Sequence, residues 1–227
     1  MADVLYLCGG WPGHAPYEFA DWATAHLSDL GMTVDVTYDP FRFEKDLTGY
    51  GLIVIGWTQA HTTENLTARQ ETSLLHAVQQ GTGVAGWHGM AASFRASLPY
   101  NLMIGGNCVS HPGGEGVEVP YEVTITGPPH PVTEGVSSFP VASEQYYMHT
   151  DPMNTVLAET TFSGEHFPWI DGYTMPAAWV KNWGRGRVFY CSPGHYLKDL
   201  QTEDATRLVR QGMSWAHADS TSADAAG

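Results

Sequence analysis

The sequence predicts a mixed α/β domain, built on a mostly parallel sheet with helices on both faces. Short apolar runs alternate with stretches of helical spacing through the first half, which is the order of a parallel sheet crossed by helices. These runs are continuous, as expected of strands buried on both faces. After residue 117 polar and β-branched residues alternate instead, and this change predicts added antiparallel strands in the second half.

Four strands are predicted in the first half, each from a local signal. The apolar run 4–8 stops at Gly9-Gly10, which favours a turn. Similar runs predict buried strands over residues 52–56 and 83–87, and an alternating pattern predicts a strand over 32–38. Ligands bind beyond the carboxyl ends of such strands, so the residues that follow them are the first candidates for a site.

Helices are predicted from apolar spacing and from their caps. Apolar residues recur at helical spacing over residues 16–30, and Gly31 is a natural C-cap. The segment Thr67-Ala68-Arg69-Gln70 is a capping box that opens a helix ending at Gly81. A last helix is expected over residues 203–216.

The second half predicts strands over residues 117–126, 156–161, 177–183 and 187–191. Gly184-Arg185-Gly186 is the expected hairpin turn between the last two. The sequence shows neither an internal repeat nor a linker, so residues 1–217 are expected to form a single domain. Residues 218–227 are small and polar with nothing to bury, and we expect them to be a disordered tail.

Charge and composition exclude several classes of protein. The sequence contains 24 acidic and ten basic residues, and its net charge of −14 disfavours binding to nucleic acid and to anionic membrane surfaces. The sequence contains no apolar run of about 20 residues and no recognisable signal peptide, so the expected location is the cytoplasm. No phosphate or dinucleotide motif is present, and we expect no nucleotide cofactor. The sequence is compatible with a homo-oligomer.

Eleven histidines are many for a chain of 227 residues. Six of them follow predicted strands or lie in Gly/Pro-rich loops, where binding residues concentrate: His14, His61, His88, His111, His149 and His195. We expect several of these imidazoles to share one site.

His88 is the most informative of the six. Gly86-Trp87-His88-Gly89 forms a strand-to-helix turn, a geometry that exposes a nucleophile in other α/β enzymes. Imidazole can act there as a general base, a general acid or a metal ligand. The alternative is a structural histidine that is hydrogen-bonded to the backbone nearby.

Glu144 and His195 complete the predicted catalytic group with His88. Glu144 is a general base or a metal ligand in this interpretation, and a solvated surface acid in the alternative. In an extended segment Glu144 and His149 point to opposite sides, so they share a site only if the chain bends. His195 follows the apolar strand that ends at Cys191.

The remaining candidates predict a sugar-type small molecule as the partner and a divalent metal as a candidate cofactor. Aromatic rings pack on the CH-rich faces of sugars, while the hydroxyls need polar neighbours. The predicted substrate-binding residues are His14, Trp11, Trp57, Trp87, Tyr146 and Tyr147, and the alternative for the tryptophans is a place in the hydrophobic core. Zinc, manganese or iron would be held by His61, His111 and His149, together with His88 or Glu144.

A set of short motifs carries a family resemblance over residues 3–217. They are Cys8-Gly9-Gly10 with His14, Gly81-Thr82-Gly83-Val84 before Gly86-Trp87-His88-Gly89, Gly105-Gly106 before His111-Pro112, His130-Pro131-Val132-Thr133, Glu144-Gln145-Tyr146, and Gly184-Arg185-Gly186-Arg187-Val188-Phe189-Tyr190 before Gly194-His195. In this order and spacing the chain resembles the ThuA-like (trehalose utilisation) family.

The resemblance implies a flavodoxin-like fold related to class I glutamine amidotransferases. It also implies a role in the catabolism of trehalose or related sugars, through 3-keto-glycoside intermediates. The amidotransferase relatives carry a catalytic cysteine where this chain has His88, so glutamine hydrolysis is not expected. The leading hypothesis is an enzyme that acts on a keto-sugar or glycoside by enolisation, isomerisation or elimination. The alternative is a non-catalytic module that binds a sugar or another metabolite.

Overall fold

A computed structural model of the protein describes residues 2–58 and 65–218. In chain order its strands are β1 (Val4–Gly10), β2 (Val34–Thr37), β3 (Leu52–Thr58), β4 (Gly83–Trp87), β5 (Gly106–Ser110), β6 (Val119–Ile125), β7 (Phe139–Ser143), β8 (Tyr147–Thr150), β9 (Thr155–Thr161), β10 (Thr174–Trp183) and β11 (Gly186–Cys191). Its α-helices are α1 (Pro16–Asp29), α2 (Ala68–Gln80), α3 (Leu98–Ile104) and α4 (Glu203–Ala216).

Nine of these strands form one continuous sheet, in the order β2-β1-β3-β4-β11-β10-β9-β6-β7. The first five strands of this order are parallel to one another. The other four are antiparallel, from the β10–β11 hairpin outward. The predicted α/β class, with a parallel half and added antiparallel strands, is therefore confirmed.

Helices cover both faces of the sheet, and each face has its own hydrophobic core. Helices α1 and α4 pack on one face and contribute Phe19, Leu27 and Met213 to its core. Helices α2 and α3 pack on the other face, where Leu74 and Tyr100 are fully buried. The continuous apolar strands are buried on both faces for this reason, since their alternate side chains enter different cores.

Local capping fixes the ends of the helices that the sequence predicts. At α2, the Thr67 side chain accepts a hydrogen bond from the Gln70 amide, and the Gln70 side chain accepts one from the Thr67 amide. At α4, the Thr202 side chain accepts a hydrogen bond from the Ala205 amide. Both helices therefore begin where the sequence predicts.

Some elements carry no sequence signal strong enough to predict them. The sequence does not predict strands β5, β7 and β8, and β5 and β8 pair in a small sheet of their own. Most of the predicted tail, residues 219–227, lies outside the described residues. Among the residues described, every helix is too short or too polar to cross a bilayer.

Candidate functional site

The carboxyl ends of the parallel strands carry the histidines of the candidate site. His14 follows β1, His88 follows β4 and His195 follows β11. Because β1, β4 and β11 are parallel members of one sheet, these three side chains meet at the same edge. Glu144 joins them from the segment that connects β7 with β8.

These four side chains, His14, His88, Glu144 and His195, form what we call the histidine–glutamate cluster. Each offers one nitrogen or oxygen atom, and the four atoms lie within 4.8 Å of one another. His88 Nε2 and His195 Nδ1 are each 3.3 Å from Glu144 Oε2, and 3.3 Å from each other. All four residues are at least nine-tenths buried.

His88 is held by a strained turn and by a backbone hydrogen bond. Its φ of 39° lies in the left-handed region, which a non-glycine residue adopts only when the surroundings enforce it. His88 Nδ1 is 2.8 Å from the carbonyl oxygen of Ser192, and Tyr190 donates a hydrogen bond to the His88 carbonyl. Since the Ser192 oxygen can only accept, Nδ1 carries the proton and Nε2 faces the cluster with its lone pair.

His14 is oriented by the last residue of β3. Its Nδ1 is hydrogen-bonded to Thr58 Oγ1 at 2.8 Å. This close approach needs the glycine at position 89, because a Cβ added there would overlap Thr58 Oγ1 and press on His14 Nδ1. The Thr58 hydroxyl can donate or accept, so this hydrogen bond fixes the orientation of the His14 ring in either tautomer.

Glu144 is anchored through its second carboxylate oxygen. The amide of Gly116 donates to Oε1 at 2.6 Å, which leaves Oε2 directed at the two imidazoles. Burial opposes ionisation of this carboxyl, but the contacts with His195, His88 and the Gly116 amide outweigh it. The pKa of Glu144 therefore lies well below its ordinary value, and Glu144 is a carboxylate at neutral pH.

Two of the imidazoles are neutral at the same pH. Burial, with the neighbouring histidines adding to it, lowers the pKa of His14 from 6.5 to about 2. Burial also lowers the pKa of His88, although Glu144 acts in the opposite direction. Neutral imidazole and ionised carboxylate are the protonation states that bind a metal cation.

The cluster brings together side chains of the types that can hold a cation. In the neutral tautomer, His88 Nε2 and Glu144 Oε2 are both acceptors, yet they lie only 3.3 Å apart. A cation held by the imidazole nitrogens would place positive charge beside the carboxylate and relieve this contact. Three nitrogens and one oxygen are also a donor set that suits zinc, iron or manganese.

Aromatic rings surround the cluster. Trp11 is half-buried, and its ring centroid is 4.8 Å from that of His14 and 6.2 Å from that of His195. Tyr146 is buried, stacks on His88 at 4.1 Å, and places its hydroxyl 2.8 Å from His88 Nε2. Trp11 is thus the partly exposed ring beside the cluster, and Tyr146 offers a hydroxyl.

Three other predicted substrate-binding residues have different surroundings. Trp87 is 5% exposed and packs against Phe19 and Trp22 in the core. Trp57 is half-buried and lines a cavity of about 20 Å³ beside His14. Tyr147 is half-buried and stacks on Phe162 at 5.9 Å.

The histidines predicted as metal ligands are not the ones that converge. His149 is exposed on β8 and is not part of the cluster. The His111 ring lies beside the cluster, with its centroid 6.2 Å from that of Tyr146. The buried Nδ1 of His111 has no hydrogen-bond partner within the part of the chain that the structure describes. His61 lies outside the described residues. His14, predicted to bind substrate, is a member of the cluster.

The residues that orient the cluster were not predicted from the sequence. Thr58 acts through its hydroxyl, while Ser192 and Gly116 act through backbone atoms. The signal for Thr58 is its place at the end of a buried strand. Ser192 and Gly116 act through atoms that every residue has, so the residue type gives no indication of these contacts.

The cavity beside His14 has space for a molecule about the size of water, and a sugar needs far more. Two larger cavities, of about 520 and 460 Å³, are lined by other residues and do not touch the cluster.

The fold and the cluster define a flavodoxin-like α/β protein with three histidines after the carboxyl ends of its parallel strands and a glutamate from the segment between β7 and β8. The chain belongs to the ThuA family, whose model, described as trehalose utilisation, matches residues 3–216. This membership confirms the resemblance seen in the sequence and supports a role in sugar metabolism. No curated protein matches the sequence.

Solved structures share the fold at low sequence identity. A ThuA-like protein from Parabacteroides merdae is 17% identical with a TM-score of 0.74, and the match covers 95% of this chain and 89% of that one. A ThuA-like protein from Bacteroides uniformis is 21% identical with a TM-score of 0.72, and the match covers 94% and 89%.

The same fold also occurs within a much longer protein. A cold-adapted β-galactosidase from Rahnella is 16% identical with a TM-score of 0.57, and the match covers 98% of this chain but only 31% of that one. At these identities the likeness concerns the fold alone.

Proposed function

We propose that the chain is a metal-dependent enzyme of sugar catabolism, which removes the proton next to the ketone of a keto-sugar or 3-keto-glycoside. The observation that carries the proposal is the convergence of His14, His88, His195 and Glu144 within 4.8 Å. Membership of the ThuA family supports the sugar part. The imidazole and carboxylate groups of the four side chains support the removal of a proton next to a ketone.

The three imidazoles are the residues that would hold a divalent cation. His88 directs the Nε2 lone pair into the cluster, and His14 has its orientation fixed by Thr58. A bound zinc, manganese or iron ion would polarise the ketone and stabilise the enolate oxygen. Because His14 and His88 are neutral and Glu144 is ionised, the site needs no large change of protonation to bind the cation.

Glu144 is the base in this proposal. Its Oε2 is ionised and lies at the centre of the cluster, so it can accept the proton from C2 of a sugar with a ketone at C3. Its lowered pKa makes it a weak base, so most of the acidity has to come from the polarised ketone. The electrons then either return to carbon together with the proton held by Glu144, which gives isomerisation, or expel the glycosidic oxygen at C1, which takes that proton and leaves as an alcohol, and this is elimination.

Trp11 is the residue proposed to receive the sugar ring. It is half-buried and adjoins both His14 and His195, so a ring stacked on it would present its ketone to the cluster. The acidic net charge of −14 agrees with an uncharged substrate such as a keto-sugar.

Exchange of the C2 proton tests the proposal directly. Protein that is purified without an affinity tag and loaded with zinc, manganese or iron is mixed with 3-keto-trehalose in D₂O, and loss of the C2 proton signal is followed by NMR. We expect exchange, with or without release of glucose, at least 100-fold faster than in buffer. Saturable binding without exchange would contradict the enzyme and favour a sugar-binding module.

Two variants and a control separate the roles of the cluster residues. Glu144→Gln should retain the metal on the three histidines and lose exchange by about 100-fold or more. His76→Ala, an exposed histidine on α2, should behave like the unaltered protein. His111→Ala tests the base: loss of exchange in this variant, with exchange retained in Glu144→Gln, would transfer the role of base to His111.

A further inference from the structure

The proposed function assigns no role to the hydroxyl of Tyr146, which lies next to His88. Tyr146 is 3% exposed, and its ring stacks on His88 with centroids 4.1 Å apart. Its hydroxyl oxygen is 2.8 Å from His88 Nε2, the nitrogen that faces Glu144. Burial holds the pKa of Tyr146 well above its ordinary value, so the group is a neutral phenol that can donate its proton to a hydrogen bond.

The donor and acceptor in this hydrogen bond are fixed by the other side of the His88 ring. The Ser192 carbonyl accepts from Nδ1, so Nε2 carries a single lone pair and no proton. Tyr146 must therefore donate to that lone pair. The same lone pair is the one that His88 would offer to a cation, and one nitrogen lone pair cannot serve both partners.

We propose that Tyr146 is a catalytic hydroxyl, which donates to His88 until the cation binds and then donates to the ketone oxygen of the substrate. This inference rests on the proposed function. When Nε2 is taken up by the cation, the Tyr146 O–H is left beside the cluster without its acceptor. The ketone oxygen drawn to the cluster is the group that can replace it.

The atoms and charges of the step balance without a further reactant. The bond between C2 and its hydrogen breaks, the proton moves to Glu144, and the electron pair forms the C2–C3 double bond as charge gathers on the ketone oxygen. Tyr146 donates a hydrogen bond to that oxygen. The charge therefore has two partners, and the buried site strengthens both.

The variant Tyr146→Phe keeps the stacked ring and removes only the hydroxyl. The inference predicts that the affinity for Zn²⁺ or Co²⁺ stays the same or rises up to about 10-fold, since a competing hydrogen bond is lost. It also predicts that kcat for C2 exchange falls by about 100-fold or more, as when an oxyanion donor is removed. A purely structural hydroxyl would instead give lower affinity for the metal together with lower activity.

A matched control removes a hydroxyl of the same kind elsewhere. Tyr100 is fully buried and donates to the Met90 carbonyl, outside the cluster. Tyr100→Phe should lower the melting temperature of the protein without raising the affinity for metal or lowering kcat. This control separates the effect of losing a buried hydrogen bond from the effect of losing the Tyr146 donor.

Three results would overturn the inference. Weaker metal binding in Tyr146→Phe would show that the hydroxyl supports the site and does not compete with the cation. A tyrosinate-to-metal charge-transfer band in the Fe³⁺-loaded protein, absent from Tyr146→Phe, would show that Tyr146 is itself a ligand. An unchanged rate of C2 exchange in Tyr146→Phe would also reject the role of the hydroxyl. Absence of exchange in the unaltered protein would instead reject the proposed function.

Discussion

His88 Nδ1 lies 2.8 Å from the carbonyl oxygen of Ser192, which places the loop after β11 against the turn after β4. This contact decides the tautomer of His88 and therefore which nitrogen is available for chemistry. The neighbouring strands β4 and β11 are parallel, so their ends bring the two loops together. A side chain in a strained turn thus obtains a fixed orientation from a backbone atom 104 residues away.

The first prediction concerns metal content. His88→Ala should lower the bound zinc, manganese or iron from about one equivalent per chain to less than a tenth, because a central ligand is lost. The measurement is elemental analysis of tag-free protein after dialysis against the metal. His149→Ala is the informative comparison, since His149 is exposed on β8 and should retain full occupancy. Equal losses in both variants would contradict the cluster as the site.

The second prediction concerns the partner of His14. Thr58→Val removes the hydroxyl that holds His14 Nδ1, and this should weaken metal binding by about 10- to 100-fold, as for other residues that orient a ligand. Competition with a fluorescent chelator measures the affinity. Thr58→Ser keeps the hydroxyl and should bind nearly as well as the unaltered chain. Unchanged affinity in Thr58→Val would show that His14 needs no such support.

Much of the fold follows from local sequence because its signals are local. The capping box at Thr67 and Gln70 fixes the start of α2, and the apolar run before Gly9 fixes β1. Strands β5 and β8 are different, since each is stabilised by a partner distant in the chain. Their pairing depends on how the rest of the sheet folds, and no pattern within four or five residues reveals it.

The candidate site is also predictable from the sequence only in part. The strand ends predict that His88 and His195 lie near one another, and the structure brings them together. The alternation of an extended chain also separates Glu144 from His149, which are buried and exposed respectively. The choice of His14 over His111 as a member of the cluster depends on loop conformations, which the sequence does not specify.

The third prediction concerns stability in acid. The pKa of His14 is about 2 in the folded chain and near 6.5 when unfolded, so between these values the unfolded chain binds the extra proton. The free energy of unfolding therefore falls as the pH falls from 6.5 towards 2. The lowered pKa of Glu144 has the same sign, because below its ordinary value of 4.5 the unfolded carboxyl takes up a proton first.

Urea unfolding between pH 7.5 and 4.5, with a chelator present, measures this effect. His14→Asn cannot titrate, so its stability should depend less steeply on pH than that of the unaltered chain. His76→Asn, at an exposed position on α2, should leave the slope unchanged. Identical slopes in the unaltered chain and His14→Asn would show that His14 does not resist protonation.

The fourth prediction concerns substrate affinity. Trp11→Ala should raise KM for a 3-keto-glycoside by about 10-fold, which corresponds to about 1.4 kcal/mol, by removing the accessible ring beside His14 and His195. Metal content should stay the same because Trp11 supplies no ligand. Trp169→Ala is the matched control, since Trp169 is 73% exposed and stacks on Phe167. An equal rise in KM for both would argue against a specific sugar platform at Trp11.

The fifth prediction separates packing from binding at Trp87. Its ring contacts Tyr6, Phe19 and Trp22 in the core under α1, although its place next to His88 suggests a role in the site. Trp87→Ala should lower the free energy of unfolding by about 3 to 5 kcal/mol, as expected when a large buried ring leaves a cavity. Urea unfolding measures the loss, and Trp87→Phe should recover part of it. A raised KM with unchanged stability would instead place Trp87 in contact with the substrate.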